Sequence, residues 1–275
     1  MPVGESAAKR FWADLTTAEF AALDRARTIA VLPVAATEQH GPHLPLDVDT
    51  QLVDGVVQAM LPHLAPDLPV LVLPTQAVGL SPEHTGFAGT LTLKAATVIA
   101  LWTEIAEGVA RSGVRKLVLL NSHGGQVGLM DVVGRDLRAR LDMLVYSVSW
   151  FNLPLGDAQD LFNADEHRFG IHGGDIETSM MLALASHKVD MAQARDFKST
   201  SQARAARFPI LGNGRSAKLA WQTQDYNPAG AVGHAAAATA DKGRAVLQAA
   251  GQALAQLLAE IDALPVDTLV APPLK

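Results

Sequence analysis

The chain has 275 residues, a formal net charge of −6, 49% hydrophobic and 18% charged residues, and no cysteine. That apolar content predicts a sizeable core, and an acidic balance without a basic run excludes a surface built to neutralise phosphates, so no nucleic-acid partner is expected. Without thiols there is no disulfide, thiolate zinc site or iron–sulfur cluster; any metal must be held by His, Asp and Glu, which favours zinc, manganese or iron.

The opening MPVGESAAKRFW lacks the basic start and apolar stretch of a secretory leader, and no apolar run approaches the roughly 20 residues of a membrane span. The sequence thus reads as a soluble, cytoplasmic protein with no membrane partner. In LTTAEFAALDRA, Thr16 followed by Glu19 predicts a capping box on a short helix. TIAVLPVAA (28–36) predicts the first strand, with Pro33 marking an edge or a bulge because proline removes a ladder donor. TQLVDGVVQAMLPHL has helical spacing, and LPVLVLPTQAVG predicts a second strand. KAATVIALWTEIAEGVARSG predicts a long helix closed by Gly113. KLVLL is a buried strand, GLMDVVGRDLRARL a helix, MLVYSVSWF a strand, DIETSMMLALA a helix, and ADKGRAVLQAAGQALAQLLAEIDAL a long final helix. The stretch from about 196 to 240 is the least regular, expected to be a surface excursion or an oligomer contact. With no repeat and no linker, one domain spanning 1–275 is expected. Strands alternating with helices predict a mostly parallel sheet covered on both faces.

In such sheets ligands sit beyond the carboxyl ends of the strands. Three strand ends here are followed by polar clusters. The first, EQHGPHLPLDVDT, holds Glu38 and His40, two apart and so on one side of an extended segment, and Asp49 beside a predicted helix start, where the dipole favours its charge. The second, SPEHTGFAGT, holds Ser81, Glu83 and His84 as weaker candidates. The third, NSHGGQ, holds His123 before two glycines. A further cluster, HRFGIHGGDIETS, holds His172 and Glu177, able to face one cavity across a turn. Any one of these residues reads most simply as a polar loop or cap, with Asp49 capping and His43 solvated. Their density across several strand ends favours a metal site. Ser122 beside His123 does not make a serine nucleophile, since neighbours on an extended chain point apart and no G-x-S-x-G elbow exists. Walker A and G-x-G-x-x-G signatures are absent too.

At these residues the chain resembles the creatininase (creatinine amidohydrolase) family, through LPVAATEQHGPHLPLDVD, SPEHTGFAGTLTL, NSHGGQ, HGGDIETS and, more loosely, AVGHAAAATADKGR. The resemblance implies a three-layer α/β/α sandwich, two divalent metal ions, hydrolysis of a non-peptide C–N bond in a small-molecule substrate by a hydroxide between the ions, and a homo-oligomer, often a hexamer. It puts the metal ligands on Glu38, His40, Asp49 and His123, with Asp49 bridging, and His172 near the substrate. Creatinine-cleaving members carry Tyr-Glu, the Glu a ligand of the second ion, where this chain has Gly124 and Gly125. They carry a substrate-covering Trp where it has Arg168. Creatinine is therefore expected to be cleaved weakly or not at all. Relatives with a plain H-G-G motif include a formamidopyrimidine deformylase and a peptide-trimming enzyme of mycofactocin maturation.

The expected roles follow. His172 and Glu177 are the catalytic candidates, stabilising the oxyanion or protonating the departing nitrogen, and Glu177 is also expected to replace the carboxylate missing at Gly125. Ser81 and Arg168 are expected to bind substrate, Arg168 as a forked donor to a carboxylate or phosphate. Asp47 is expected to orient His40. A single-metal isomerase or lyase, or a non-enzymatic binding module, are the rival readings.

Overall fold

The computed structural model describes residues 9–271 and 273; residues 1–8 of the N-terminal stretch considered above lie outside it. In chain order the main elements are α1 (Thr17–Ala21), β1 (Ile29–Val34), α2 (Val48–Met60), β2 (Val70–Val72), α3 (Ala95–Arg111), β3 (Lys116–Asn121), α4 (Val127–Leu141), β4 (Leu144–Ser149), α5 (Ala164–Phe169), α6 (Asp175–Ala185), β5 (Asp196–Phe197), α7 (Thr200–Arg207), α8 (Thr223–Tyr226), β6 (Gly233–His234) and α9 (Ala240–Ala263). The four-stranded sheet runs β2-β1-β3-β4 and every pair in it is parallel.

Three layers follow from alternation along the strands. Ile29 and Val31 of β1, with Val118 and Leu120 of β3, turn to one face and pack with Val53 of α2, Met180 of α6 and Leu254 of α9. Ala30, Leu32, Leu117 and Leu119 turn to the other and meet Trp102 of α3 and Val133 of α4. Each buried Leu, Ile or Val stabilises the fold by about 1.5–3 kcal/mol. The Thr16–Glu19 capping box forms as expected, with the Glu19 N–H donating to Thr16 Oγ1 at 3.2 Å and the Thr16 N–H to Glu19 Oε2 at 2.8 Å. Gly113 follows α3 with φ of +89°, the left-handed closure its position predicts.

Two expectations are refined. Pro33 lies on an inner strand and not at an edge, and it sits where the facing segment carries one extra residue, a bulge: Val31 pairs with Val72 but Val34 with Gln76. The backbone groups of residues 29, 31 and 33 point toward β2 and the segment after it, and the register with β2 ends at Val31 opposite Val72. The missing N–H therefore falls where β2 has already stopped, while the Pro33 carbonyl still accepts from the Gln76 N–H at 2.9 Å. The irregular 196–240 stretch is not only a surface excursion. It contributes the β5–β6 pair, and Val232 pairs with the segment carrying His172. No described helix is long and apolar enough to cross a membrane.

Candidate metal centre

The parallel strands deliver their polar ends to one rim. Glu38 and His40 come from the loop after β1, Asp49 from the first turn of α2, His84 from the loop after β2, His123 from the residue pair after β3, and Glu177 from the first turn of α6, just past His172. Of these, all but Glu177 are buried, and the Glu177 side chain retains 19% exposure.

The distances are those of a shared cluster. His123 Nδ1 lies 3.2 Å from Glu38 Oε1 and 3.4 Å from Asp49 Oδ2. His40 Nε2 lies 3.6 Å from Asp49 Oδ1, 3.9 Å from Glu38 Oε1 and 3.8 Å from Glu177 Oε2. His172 Nδ1 stands 3.7 Å from Glu38 Oε1. Three sets (Glu38, His40, Asp49; His40, His172, Glu177; Glu38, His84, His172) each bring their donor atoms within 4.8 Å of one another.

Backbone carbonyls decide which imidazole nitrogen faces the cluster. His40 Nδ1–H donates to the Glu38 carbonyl at 3.1 Å, His123 Nε2–H to the Leu80 carbonyl at 2.9 Å, and His172 Nε2–H to the Gln39 carbonyl at 2.7 Å. A carbonyl only accepts, so the opposite nitrogen of each ring presents a lone pair to the carboxylates. His84 is turned the other way. Gln39 Oε1 accepts from the Gly41 N–H at 2.9 Å, so Gln39 Nε2 donates to His84 Nδ1 at 2.7 Å. His84 Nε2–H then points at Glu38 Oε1, 3.3 Å away. Asn121 steadies the His123 turn, accepting from the His123 N–H at 3.0 Å and donating to its carbonyl at 2.7 Å.

Electrostatics agree with a place for cations. Burial alone would lower the His40 imidazole, yet Asp49, then Glu177 and Glu38, push it up to about 9. The potential that would hold a proton at Nε2 equally favours a metal ion. Burial would raise the Glu38 carboxyl, but His123, His84 and His172 outweigh that and hold it below the usual carboxylate range. Burial, reinforced by Glu38, raises the Asp49 carboxyl, and burial raises Glu177 to about 7. His40 Nε2 and Asp49 Oδ2 are buried with no hydrogen-bond partner. Two orphaned atoms of ligand type, set among carboxylates and imidazole lone pairs, fit a divalent cation.

Glu38, His40, Asp49, His123, His172 and Glu177 are thus brought together. Ser81 and Arg168 are not placed as expected. The Ser81 hydroxyl is buried and donates to Glu38 Oε2, which commits it to holding that carboxylate. Arg168 is exposed, its Nη2 donating to the Gly212 carbonyl at 3.2 Å and its guanidinium over Phe169, because α5 turns it away from the cluster. Asp47 does not reach His40; it binds Lys188 and Gln51. His43 is buried against Thr178 rather than solvated, its Nε2 3.0 Å from Thr178 Oγ1.

Glu83 has a clear place beside His123. Its Oε1 is 3.4 Å from His123 Nε2, and the volume it fills is the one a side chain at position 125 would need, since a Cβ on Gly125 would overlap it. Glu83 and His84, the weaker candidates of the second strand end, thus join the cluster.

A family profile described as creatinine amidohydrolase matches residues 13–258. The mycofactocin precursor peptide peptidase of Mycobacterium tuberculosis is 32% identical over 227 residues, 80% of each chain. The creatinine amidohydrolase of Pseudomonas putida is 30% identical over 248 residues, covering 84% of this chain and 89% of that one. A crystal structure of creatinine amidohydrolase (creatininase) superposes with a TM-score of 0.73 at 28% identity, covering 92% of this chain and 98% of the other.

Proposed function

This chain belongs to the creatininase family, and from that premise we propose that it is a metal-dependent amidohydrolase that uses water to break the C–N bond of a small cyclic amide or formamide. The observation that carries the reading is the buried donor set, with His40 Nε2 and Asp49 Oδ2 unpartnered. An unsatisfied buried polar atom costs about 1–3 kcal/mol, a cost that a bound cation removes. Glu38, Asp49 and His123 would hold one divalent ion, and His40, Asp49 and Glu177 the other. Zinc, manganese and iron suit such nitrogen and oxygen donors. When bound, such ions polarise a carbonyl and lower the pKa of water.

The chain's own residues supply the rest. Ser81 and His84 donate to opposite oxygens of Glu38 and fix its orientation. His172 turns a lone pair, not a proton, to the cluster, because its Nε2–H is committed to the Gln39 carbonyl. It therefore suits proton acceptance from the attacking water better than direct donation to an oxyanion. The proton it takes is then returned to the departing nitrogen. A C–O bond forms, the C–N bond breaks, and the products are an acid and an amine.

Peptide trimming is the second reading, favoured by the likeness to the mycofactocin peptide peptidase and by the exposed Gly124 at the cavity, where nothing lies within 4 Å of an added Cβ and a larger substrate meets no side chain. The experiment screens cyclic amides, formamides and short peptides with manganese, zinc or iron in ¹⁸O-labelled water. Hydrolysis puts label into the carboxyl product and stops on chelation. Turnover without label uptake would instead indicate an isomerase or lyase, and full activity after chelation would overturn the metal assignment.

A further inference from the structure

The cavity over the cluster, of about 380 Å³, has a buried polar floor, and its exposed rim sets an apolar wall beside Asn152 and His167. Glu38, Asp49, His123 and His172 lie at the floor. At the mouth, Phe151 is 39% and Ile171 48% exposed, both lining the cavity beside half-buried Ile176. The wall is anchored. Phe151 packs edge-on against Trp150 with centroids 5.7 Å apart, and Trp150 Nε1–H donates to Ser122 Oγ at 3.0 Å, next to His123.

Glu38, Asp49, Glu166 and Glu177 line the cavity, and no Lys or Arg does among the described residues. Glu166 is already committed, accepting from the Asp175 N–H at 2.6 Å and the His234 N–H at 2.8 Å. Arg168, the nearest cation by sequence, is turned to Gly212. With Glu38, Asp49 and Glu177 given over to the ions, a carboxylate seated on the apolar wall would lose its hydration and find no Lys or Arg fork to receive it. An apolar group entering the mouth would cover side chains that otherwise stay wet.

Building on the amidohydrolase reading, we propose that the cleft selects a neutral amide bearing an apolar substituent, a phenyl ring or a branched aliphatic side chain, beside the scissile bond. That substituent is seated against Phe151, Ile171 and Ile176, and substrates with a carboxylate at that position are rejected.

The test is calorimetric binding of three hydroxamates to the full-length, metal-loaded protein: acetohydroxamate, phenylacetohydroxamate and the anionic succinic monohydroxamate. The phenyl compound should bind at least about tenfold tighter than acetohydroxamate, and the anionic one weaker than both. Phe151→Ala and Ile171→Ser, checked for folding by circular dichroism, should each shrink the phenyl-to-methyl affinity ratio several-fold. Equal affinities for all three would overturn the inference while leaving the metal centre intact. Failure of all three to bind would sink the metal reading and this inference with it. An unchanged ratio in Phe151→Ala, with a shift in sedimentation, would assign the wall to a contact between copies and overturn it.

Discussion

Gly125→Ala is the sharpest probe of how the centre is held. The added Cβ would overlap the Glu83 carboxylate and come within 2.5 Å of His123 Nε2. Optimal non-bonded separation is about 3.5–4.0 Å, so the imidazole must retreat by roughly 1 Å, or Glu83 must leave its buried place. Either movement disturbs the edge of His123 held by the Leu80 carbonyl at 2.9 Å and carries Nδ1 away from Glu38 and Asp49. Disturbing the groups that orient a metal-binding histidine typically costs about 10–100-fold in metal affinity, and overpacking a buried site costs about 1–3 kcal/mol of stability. Gly124→Ala is the matched control, since a Cβ there has nothing within 4 Å and neither glycine has a positive φ. The assay is metal titration in a competing chelator, paired with thermal melts of both variants. If Gly125→Ala matches Gly124→Ala in affinity and in melting, the Glu83–His123 packing does not hold the centre and the reasoning fails.

Three further outcomes are expected. Asp49→Ala should lose more bound metal than His43→Ala, because Asp49 Oδ2 is unpartnered in the cluster while His43 Nε2 is engaged by Thr178; equal loading measured by atomic emission would contradict the bridging role. Glu177→Gln should lose one tight metal equivalent, since Glu177 Oε2 sits 3.8 Å from His40 Nε2; unchanged stoichiometry with collapsed turnover would assign Glu177 to proton transfer instead. Glu19 is lowered to about 2 by Lys9 and the Thr16 cap, so the unfolded chain binds the extra proton between the ordinary carboxylate pKa and that value. Its contribution to stability is present above the ordinary pKa and is lost as pH falls toward 2, and Glu19→Gln should flatten the acid limb of urea-unfolding curves measured across that window.

Periodicity and spacing alone were enough to predict the layers, because they record which side of an element is dry. The alternation of β1 and β3 split their side chains between two helical layers, and Thr16 with Glu19 announced a cap that depends on four residues. The same local logic brought Glu38, His40, Asp49 and His123 to one rim, since parallel strands end together. What the sequence left open was direction. Arg168 stands four residues before His172, yet α5 turns it outward to Gly212, and Ser81 spends its hydroxyl on Glu38. Pro33 is harmless inside the sheet because the register with β2 ends at Val31 and an extra residue intervenes before Gln76 pairs with Val34. The proton on each imidazole is set by carbonyls at Glu38, Gln39 and Leu80, and the room for Glu83 by the bare Cα of Gly125. Apart from the His40–Glu38 contact, these are meetings of groups distant along the chain, and a side chain's direction there depends on the whole intervening backbone path, which no local pattern encodes.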